Sequence, residues 1–530
     1  MNILKKIQEY ACRRPEQIAI RCGDSALTYG ELWNYSDGLA AWFLQTQGDD
    51  RSPVAVYGHK DPWMLVCFLA CVKAGRGYCP IDRSVPQTRV EMILQAVPSG
   101  VVLTTEAMTA DAGTKQVLVS EELKALAEKK HPEVPETAWV SGKDTWYIIF
   151  TSGSTGTPKG VQISADCLNH YLDWSVGLGS AAEEKDGQVF LNQAPFSFDL
   201  SVMDLYTSLA SGGTLYCLEK TVQSDYRLLM QSLGASKANV WVSTPSFAEV
   251  CLSEKSFSEE LLPKLQVFLF CGETLGNRTV QKLQERFPKA AVVNTYGPTE
   301  STVAVTDVLV TPQMARETEP LPVGRAKPGT RIEIRDEAGT VLPDGEKGEI
   351  IILGDTVSTG YYRQEELTKK AFFEQAEGAG VIRGYHTGDK GYLEDGMLFY
   401  CGRIDLQIKL HGYRIELEDI ENNIRRIPVI EHAVVLPNLR DDKVKSLTAY
   451  VVERELPKAE REEMARLKQE LLQFVPDYME AGRWNGENAD LITAMVKGAD
   501  PSVSDHNYLH KQHSLCLHYE VQLQPPYHKA

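Results

Sequence analysis

Residues 147–163 read Tyr-Ile-Ile-Phe-Thr-Ser-Gly-Ser-Thr-Gly-Thr-Pro-Lys-Gly-Val-Gln-Ile. The apolar run at 147–150 reads as a buried strand, and 161–163 resumes apolar alternation. Between them Thr151, Ser152, Gly153, Ser154, Thr155 and Lys159 supply hydroxyl donors, a small backbone and a positive charge. Small residues let backbone N–H groups close around an anion, so the stretch suits a polyphosphate; the plain alternative is a flexible Gly/Ser turn. The spacing G-x-x-x-x-G-K-[ST] is not met, and the segment after Lys159 reads as a strand, not a helix.

Further stretches carry candidate chemistry. Asn294-Thr295-Tyr296-Gly297-Pro298-Thr299-Glu300 follows an apolar run. A Gly-Pro turn there can present an aromatic face to a base, and Glu300 can help hold a divalent cation on phosphates. Read alone, it is also a turn with a helix-capping Thr. In Thr387-Gly388-Asp389 the carboxylate can accept hydrogen bonds from ribose hydroxyls, or Asp389 is a turn residue. Asp199 sits among Phe196, Phe198, Leu200 and Val202. A carboxylate in apolar surroundings needs a cation or donors, and an amino acid's ammonium is a natural partner. The alternative is a helix cap.

These stretches need a scaffold. Helical apolar spacing covers 3–11 and 28–45, and 61–75 reads as a helix closing on a glycine. Short apolar runs at 54–57, 78–81, 101–104, 117–119, 188–192, 214–218, 240–242, 267–270 and 291–294 read as strands. Such alternation predicts an α/β class with layers around a largely parallel sheet. The charged stretch 122–136 reads as a solvated helix and linker. From 324 to about 400, short strands split by Gly, Pro and Asp predict a β-rich subdomain. The amphipathic stretches 416–426 and 459–474 then predict a small α+β C-terminal domain. Residues 405–421 join a hairpin-like run to an acidic helix where composition shifts, which suits a hinge in that stretch.

At 530 residues the chain is too long for one ordinary core. Its net charge of −17 disfavours nucleic acid or an anionic membrane as main partner. The N-terminus lacks the order of a signal peptide. The longest apolar run, 63–72, is far short of the ~20 residues that span a bilayer. Eleven cysteines with no CxxC pair suit reduced thiols in the cytoplasm.

The order of residues 151–160, 294–300, 387–389 and 402–421 resembles the successive core motifs of adenylate-forming enzymes. That superfamily includes acyl-CoA synthetases, peptide-synthetase adenylation domains and luciferases. The resemblance runs over about residues 1–479. It implies a large N-terminal ATP- and substrate-binding domain over 1–404. It also implies a small lid domain over 405–479 that swings about Asp405. The implied reaction joins a carboxylate to ATP as an acyl-adenylate, releases pyrophosphate, and transfers the acyl group to a thiol. ATP and Mg²⁺ are the implied cofactors.

In adenylation domains the Asp that matches Asp199 binds the α-amino group, so an amino acid is the implied substrate. Residues 50–59, 193–204, 243–249 and 268–273 narrow the resemblance to the branch that activates D-alanine. Enzymes of that branch load it onto the phosphopantetheine thiol of a small carrier protein, for transfer to teichoic acids. By that resemblance Thr151, Ser152, Gly153, Ser154, Thr155 and Lys159 bind the ATP phosphates, and Asn294–Thr299 surround adenine. Asp389, Tyr400, Cys401, Gly402 and Arg403 lie on the ribose side. Asp199, Cys271 and the backbone of Val303 hold D-alanine, and Glu300 helps hold Mg²⁺. A free cytoplasmic monomer is expected. Ligases for another small amino acid remain an alternative.

The resemblance stops after Val475-Pro-Asp-Tyr-Met479. The family continues with Ile-Pro-Arg-Lys/Arg-Phe and later Pro-Asn-Gly-Lys-x-Asp-Arg, whose lysine bridges the substrate carboxylate and the α-phosphate. Here the chain runs Glu480-Ala-Gly-Arg-Trp-Asn-Gly-Glu, and five of 11 histidines crowd into the last 25 residues. Residues 480–530 read as an atypical tail after a reading-frame change near codon 480. A histidine metal site at His506, His510 and His513 is the alternative reading. Lys497 lies near the family lysine's spacing but lacks its Asn-Gly turn. A chain impaired in adenylation that still binds ATP and D-alanine is therefore a second alternative.

Overall fold

The computed structural model describes residues 1–152, 157–179, 187–378 and 380–404, then 407–410, 413–425, 430–440, 443–453, 483–485 and 516–521. Its Cα positions group into two compact units. One comprises 1–83, 93–151 and 159–405; the other comprises 84–92, 152–158 and 406–530.

The first unit holds two mostly parallel sheets where one was expected. In the nine-stranded sheet, Ile18–Cys22, Thr214–Cys217, Val189–Asn192, Val240–Ser243, Val267–Phe270 and Ala291–Tyr296 run parallel in that order. Antiparallel strands Ser25–Thr28 and Thr306–Leu309 flank them. In the seven-stranded sheet, Gln116–Leu118, Val101–Thr104, Val54–Gly58, Tyr78–Asp82 and Thr145–Thr151 run parallel. Lys159–Ser164 returns antiparallel to Thr145–Thr151, and Gly360–Tyr361 closes that edge.

The helix Pro62–Lys73 is almost wholly apolar, and every residue from Met64 to Lys73 is buried. A helix apolar on all sides must be covered on all sides. It meets Ile18–Cys22 of one sheet and Val54–Gly58 of the other. Asp61 caps it, accepting from the Trp63 N–H at 2.8 Å. Leu200–Ala210 is likewise buried throughout. It packs on Val189–Asn192, Thr214–Cys217 and Val240–Ser243 of the nine-stranded sheet and reaches the other through Tyr206, whose hydroxyl lies 2.7 Å from that of Tyr78 and accepts from Trp146 Nε1 at 2.9 Å.

A third, antiparallel sheet is the expected β-rich part. It orders Thr330–Arg335, Gly348–Gly354, Gly380–Glu394 and Phe372–Glu377, with Met397–Arg403 paired to Gly380–Glu394.

In the second unit, the hairpin Gln407–Leu410/Tyr413–Glu416 leads into the helix Leu417–Arg425. Glu421 accepts from the Val435 N–H at 2.9 Å and Arg425 donates to the Ala433 carbonyl at 2.9 Å, seating that helix on Ile430–Arg440. The four-stranded sheet runs Ile430–Arg440, Lys443–Glu453, Cys516–Val521, Arg483–Asn485. Two short pieces of the tail thus pair as strands, with Thr448 opposite Glu520. The helix expected over 459–474 lies outside the described residues. No described helix is long and apolar enough to cross a membrane.

Candidate active site

The strand Ala291–Tyr296 extends two residues past its expected end and carries three of the adenine-side candidates. Asn294 Nδ2 donates to the Pro322 carbonyl at 2.9 Å, and Thr295 Oγ1 donates to the Phe270 carbonyl at 2.8 Å. The Tyr296 hydroxyl donates to Asp389 Oδ2 at 2.6 Å. Burial first, then the Asp389 charge, pushes that hydroxyl's pKa up.

Gly297 and Pro298 turn the chain into the short 3₁₀ turn Thr299–Ser301. A Cβ on Gly297 would lie 2.6 Å from Ala304 Cα, a close approach that only glycine permits. Thr299 does not cap a helix. Its hydroxyl donates to Asp199 Oδ2 at 2.6 Å. Asp199 stands before Leu200–Ala210 in αR conformation and its side chain makes no capping bond, so the capping alternative fails for both residues.

Glu300 is fully buried, and its Oε1 accepts from the Tyr361 hydroxyl at 2.9 Å. Tyr361 pairs in register with Val161, on the strand that follows the candidate phosphate loop. Thr151 and Lys159 are cross-strand partners at the mouth of that loop. Ser152 comes next and is buried, while Gly153, Ser154 and Thr155 lie outside the described residues.

Asp389 is not a turn residue. It lies within the long strand Gly380–Glu394, buried, opposite Arg403. Arg403 Nη1 donates to Asp389 Oδ1 at 2.9 Å and to the Thr387 carbonyl at 2.7 Å. Tyr400 sets its ring 5.9 Å from that of Tyr296. Cys401 is exposed, and Gly402 has φ +110°, the left-handed region suited to glycine.

Thr302 and Val303 come after the 3₁₀ turn at φ +61° and +68°. A β-branched residue there costs about 1–3 kcal/mol, so surrounding contacts must hold it. Thr302 Oγ1 donates to the Thr356 carbonyl at 2.8 Å, and the Val305 N–H donates to the Tyr296 carbonyl at 2.8 Å. The strained turn sends the Val303 carbonyl toward Cys271, whose thiol donates to it at 3.6 Å. Cys271 directly follows the buried strand Val267–Phe270, as its position in the sequence suggests.

Two tyrosines went unnoticed in the sequence. The hydroxyls of Tyr147 and Tyr171 are buried without a hydrogen-bond partner among the described residues. Burial is the main reason both hydroxyls resist ionisation; the Asp199 charge adds to it for both, and that of Asp204 for Tyr171. Tyr147 counts as one more apolar residue in a strand pattern, and Tyr171 as one in a helix pattern, so neither carries a signal of its own. Asp405, Lys497, His506, His510 and His513 lie outside the described residues. Among the described residues no three His, Cys, Asp or Glu side chains gather as a metal cluster. A buried carboxylate such as Glu300 fits a Mg²⁺ held mostly by phosphate oxygens and water.

The AMP-binding enzyme family model matches residues 7–362. A D-alanine–D-alanyl carrier protein ligase of Bacillus licheniformis is 48% identical over 480 residues, covering 90% of this chain and 94% of that protein. A ligase of the same name from Bacillus thuringiensis is 47% identical over 482 residues, covering 90% and 94%. Among solved structures, an NRPS protein containing adenylation and PCP domains, bound to a vinylsulfonamide inhibitor, superposes with a TM-score of 0.76 at 25% identity. The match covers 90% of this chain and 79% of that one. The Vibrio cholerae adenylation domain AlmE, solved with glycyl-adenosine-5'-phosphate, superposes at 0.75 and 23% identity over 90% and 93%, a likeness of fold. The chain belongs to the AMP-binding enzyme family, in the group of the D-alanine–D-alanyl carrier protein ligases.

Proposed function

We propose that this chain activates D-alanine with ATP and loads it onto a phosphopantetheine-bearing carrier protein, in the cytoplasm, as a step toward D-alanylated teichoic acid. In the first step a D-alanine carboxylate oxygen bonds to the α-phosphorus of ATP as pyrophosphate leaves. In the second the carrier thiol, losing its proton, bonds to the carbonyl carbon as AMP leaves.

The observation that carries the reading is the Thr299–Asp199 hydrogen bond. It joins the nucleotide-side segment to a carboxylate that does no capping, as a residue shared between ATP and an amino acid's ammonium would be. Cys271 against the Val303 carbonyl supports a small pocket beside it. In this reading Thr151–Lys159 bind phosphates, Asp389 and Arg403 face the ribose, and Glu300 helps hold Mg²⁺, which would offset charge on the phosphates. Asp405 is the proposed hinge between an N-terminal domain over 1–404 and a lid from 405.

The test is D-alanine-dependent pyrophosphate release compared with L-alanine, glycine and D-serine. Preference for D-alanine supports the proposal. Preference for glycine would move it to another small-amino-acid ligase.

A further inference from the structure

Lys60 follows directly on the 50–59 stretch, and the reaction gives it no part. It stands between the strand Val54–Gly58 and the helix Pro62–Lys73, almost fully buried, with φ +44°. That backbone region is unfavourable for a lysine, so its neighbours must fix it. They do so on both sides. His59 lies 2.7 Å from Asp82 Oδ2 through Nδ1 and accepts the Lys220 N–H at Nε2, 3.3 Å away, while Asp61 caps the helix.

The Lys60 ammonium donates to the carbonyls of Gln193 at 2.6 Å, Leu218 at 2.7 Å and Asn192 at 3.4 Å. Three acceptors match the three donors of an ammonium; a neutral amine has two. Burial pulls its pKa down, and the nearby carboxyl groups of Asp204 and Asp82 pull it back up. Gln223 reinforces the same points, donating to the Gln193 carbonyl at 3.1 Å and the Leu218 carbonyl at 2.7 Å. The Asn192 side chain donates to the Ala194 carbonyl and to buried Asp204. Beyond these anchors Pro195–Phe198 makes one tight turn, Phe198 N–H to the Pro195 carbonyl at 2.9 Å, and delivers Asp199.

We propose that Lys60 is a positioning residue for the amino-acid substrate: its buried ammonium gathers the Asn192, Gln193 and Leu218 carbonyls and so fixes where Asp199 stands. The inference rests on the ligase reading. Gln223 is the second member of the clamp.

The experiment uses the full chain and D-alanine-dependent ATP–pyrophosphate exchange, with KM measured separately for D-alanine and ATP. Lys60→Met keeps the length and apolar contact and removes every donor. Its D-alanine KM should rise about tenfold, the size of one lost hydrogen bond to a charged group, with the ATP KM unchanged. A merely structural lysine would lower the melting temperature without splitting the two constants. Gln223→Met, half-way in severity, should raise the D-alanine KM less and in the same direction; it decides the matter if Lys60→Met does not fold. An unchanged D-alanine KM in a folded variant, or equal rises in both constants, overturns the inference. Absence of D-alanine-dependent exchange in the unsubstituted chain overturns the ligase reading, and the inference with it.

Discussion

Thr299 gives its hydroxyl proton to Asp199 across 100 residues of sequence, at 2.6 Å. That bond restricts how the carboxylate can turn. The bond also makes the Thr299–Ser301 turn and the start of Leu200–Ala210 depend on each other.

Asp199→Ala should lower D-alanine-dependent pyrophosphate release by about two orders of magnitude or more, because the substrate ammonium loses a desolvated ionic partner. ATP binding, followed by fluorescence of a nucleotide analogue, should change little. Thr299→Val should act in the same direction and more weakly, by about tenfold. Near-normal D-alanine activation in Asp199→Ala would remove it from the substrate site.

Cys271 touches the Val303 carbonyl through its thiol. Shrinking it to alanine opens room for a methyl group on that wall. Discrimination by one methyl is worth about 1–3 kcal/mol, so Cys271→Ala should raise the ratio of L-alanine to D-alanine activity by about tenfold. An unchanged ratio would leave Cys271 an ordinary buried thiol.

Tyr296→Phe removes the donor to Asp389 Oδ2 and leaves Arg403 as that carboxylate's described partner. The ATP KM should rise about tenfold while the D-alanine KM holds. Equal rises in both would show that the tyrosine supports the fold generally rather than the nucleotide side.

The tail gives a fourth expectation. A positioned cation at the α-phosphate is worth about 10²–10³ in rate. Replacing residues 480–530 with an Ile-Pro-Arg-Lys…Asn-Gly-Lys ending should raise turnover by a factor of that order, with ATP affinity retained. Lys497→Ala in the present chain should then alter little. If that substitution abolishes adenylation instead, Lys497 performs the family lysine's task.

Much of this architecture was legible because buried parallel strands write themselves as short apolar runs, as at Val54–Gly58 and Val267–Phe270. Their division between two sheets was not, since an apolar run has no mark that says which neighbour it will join. Asp389 shows the same limit. Thr387-Gly388-Asp389 has the composition of a turn, but tertiary pairing with Arg403 draws it into a strand. The Asn294–Glu300 stretch was readable as a candidate site from its residue types. The pairing of Thr299 with Asp199 was not, because it joins distant segments and depends on where Leu200–Ala210 begins. Lys60 gave no signal at all: a lysine after an apolar strand is ordinarily solvated.

The nine-stranded sheet has a consequence for synthesis on the ribosome. Ile18–Cys22 finds its parallel neighbour in Thr214–Cys217, which is translated after every strand of the seven-stranded sheet except Gly360–Tyr361. The earliest strands of the chain must therefore wait, paired only as the local hairpin Ile18–Cys22/Ser25–Thr28, until the later segment emerges. A nascent chain halted before residue 214 would present that hairpin's open edge to chaperones, and release past residue 217 would close it.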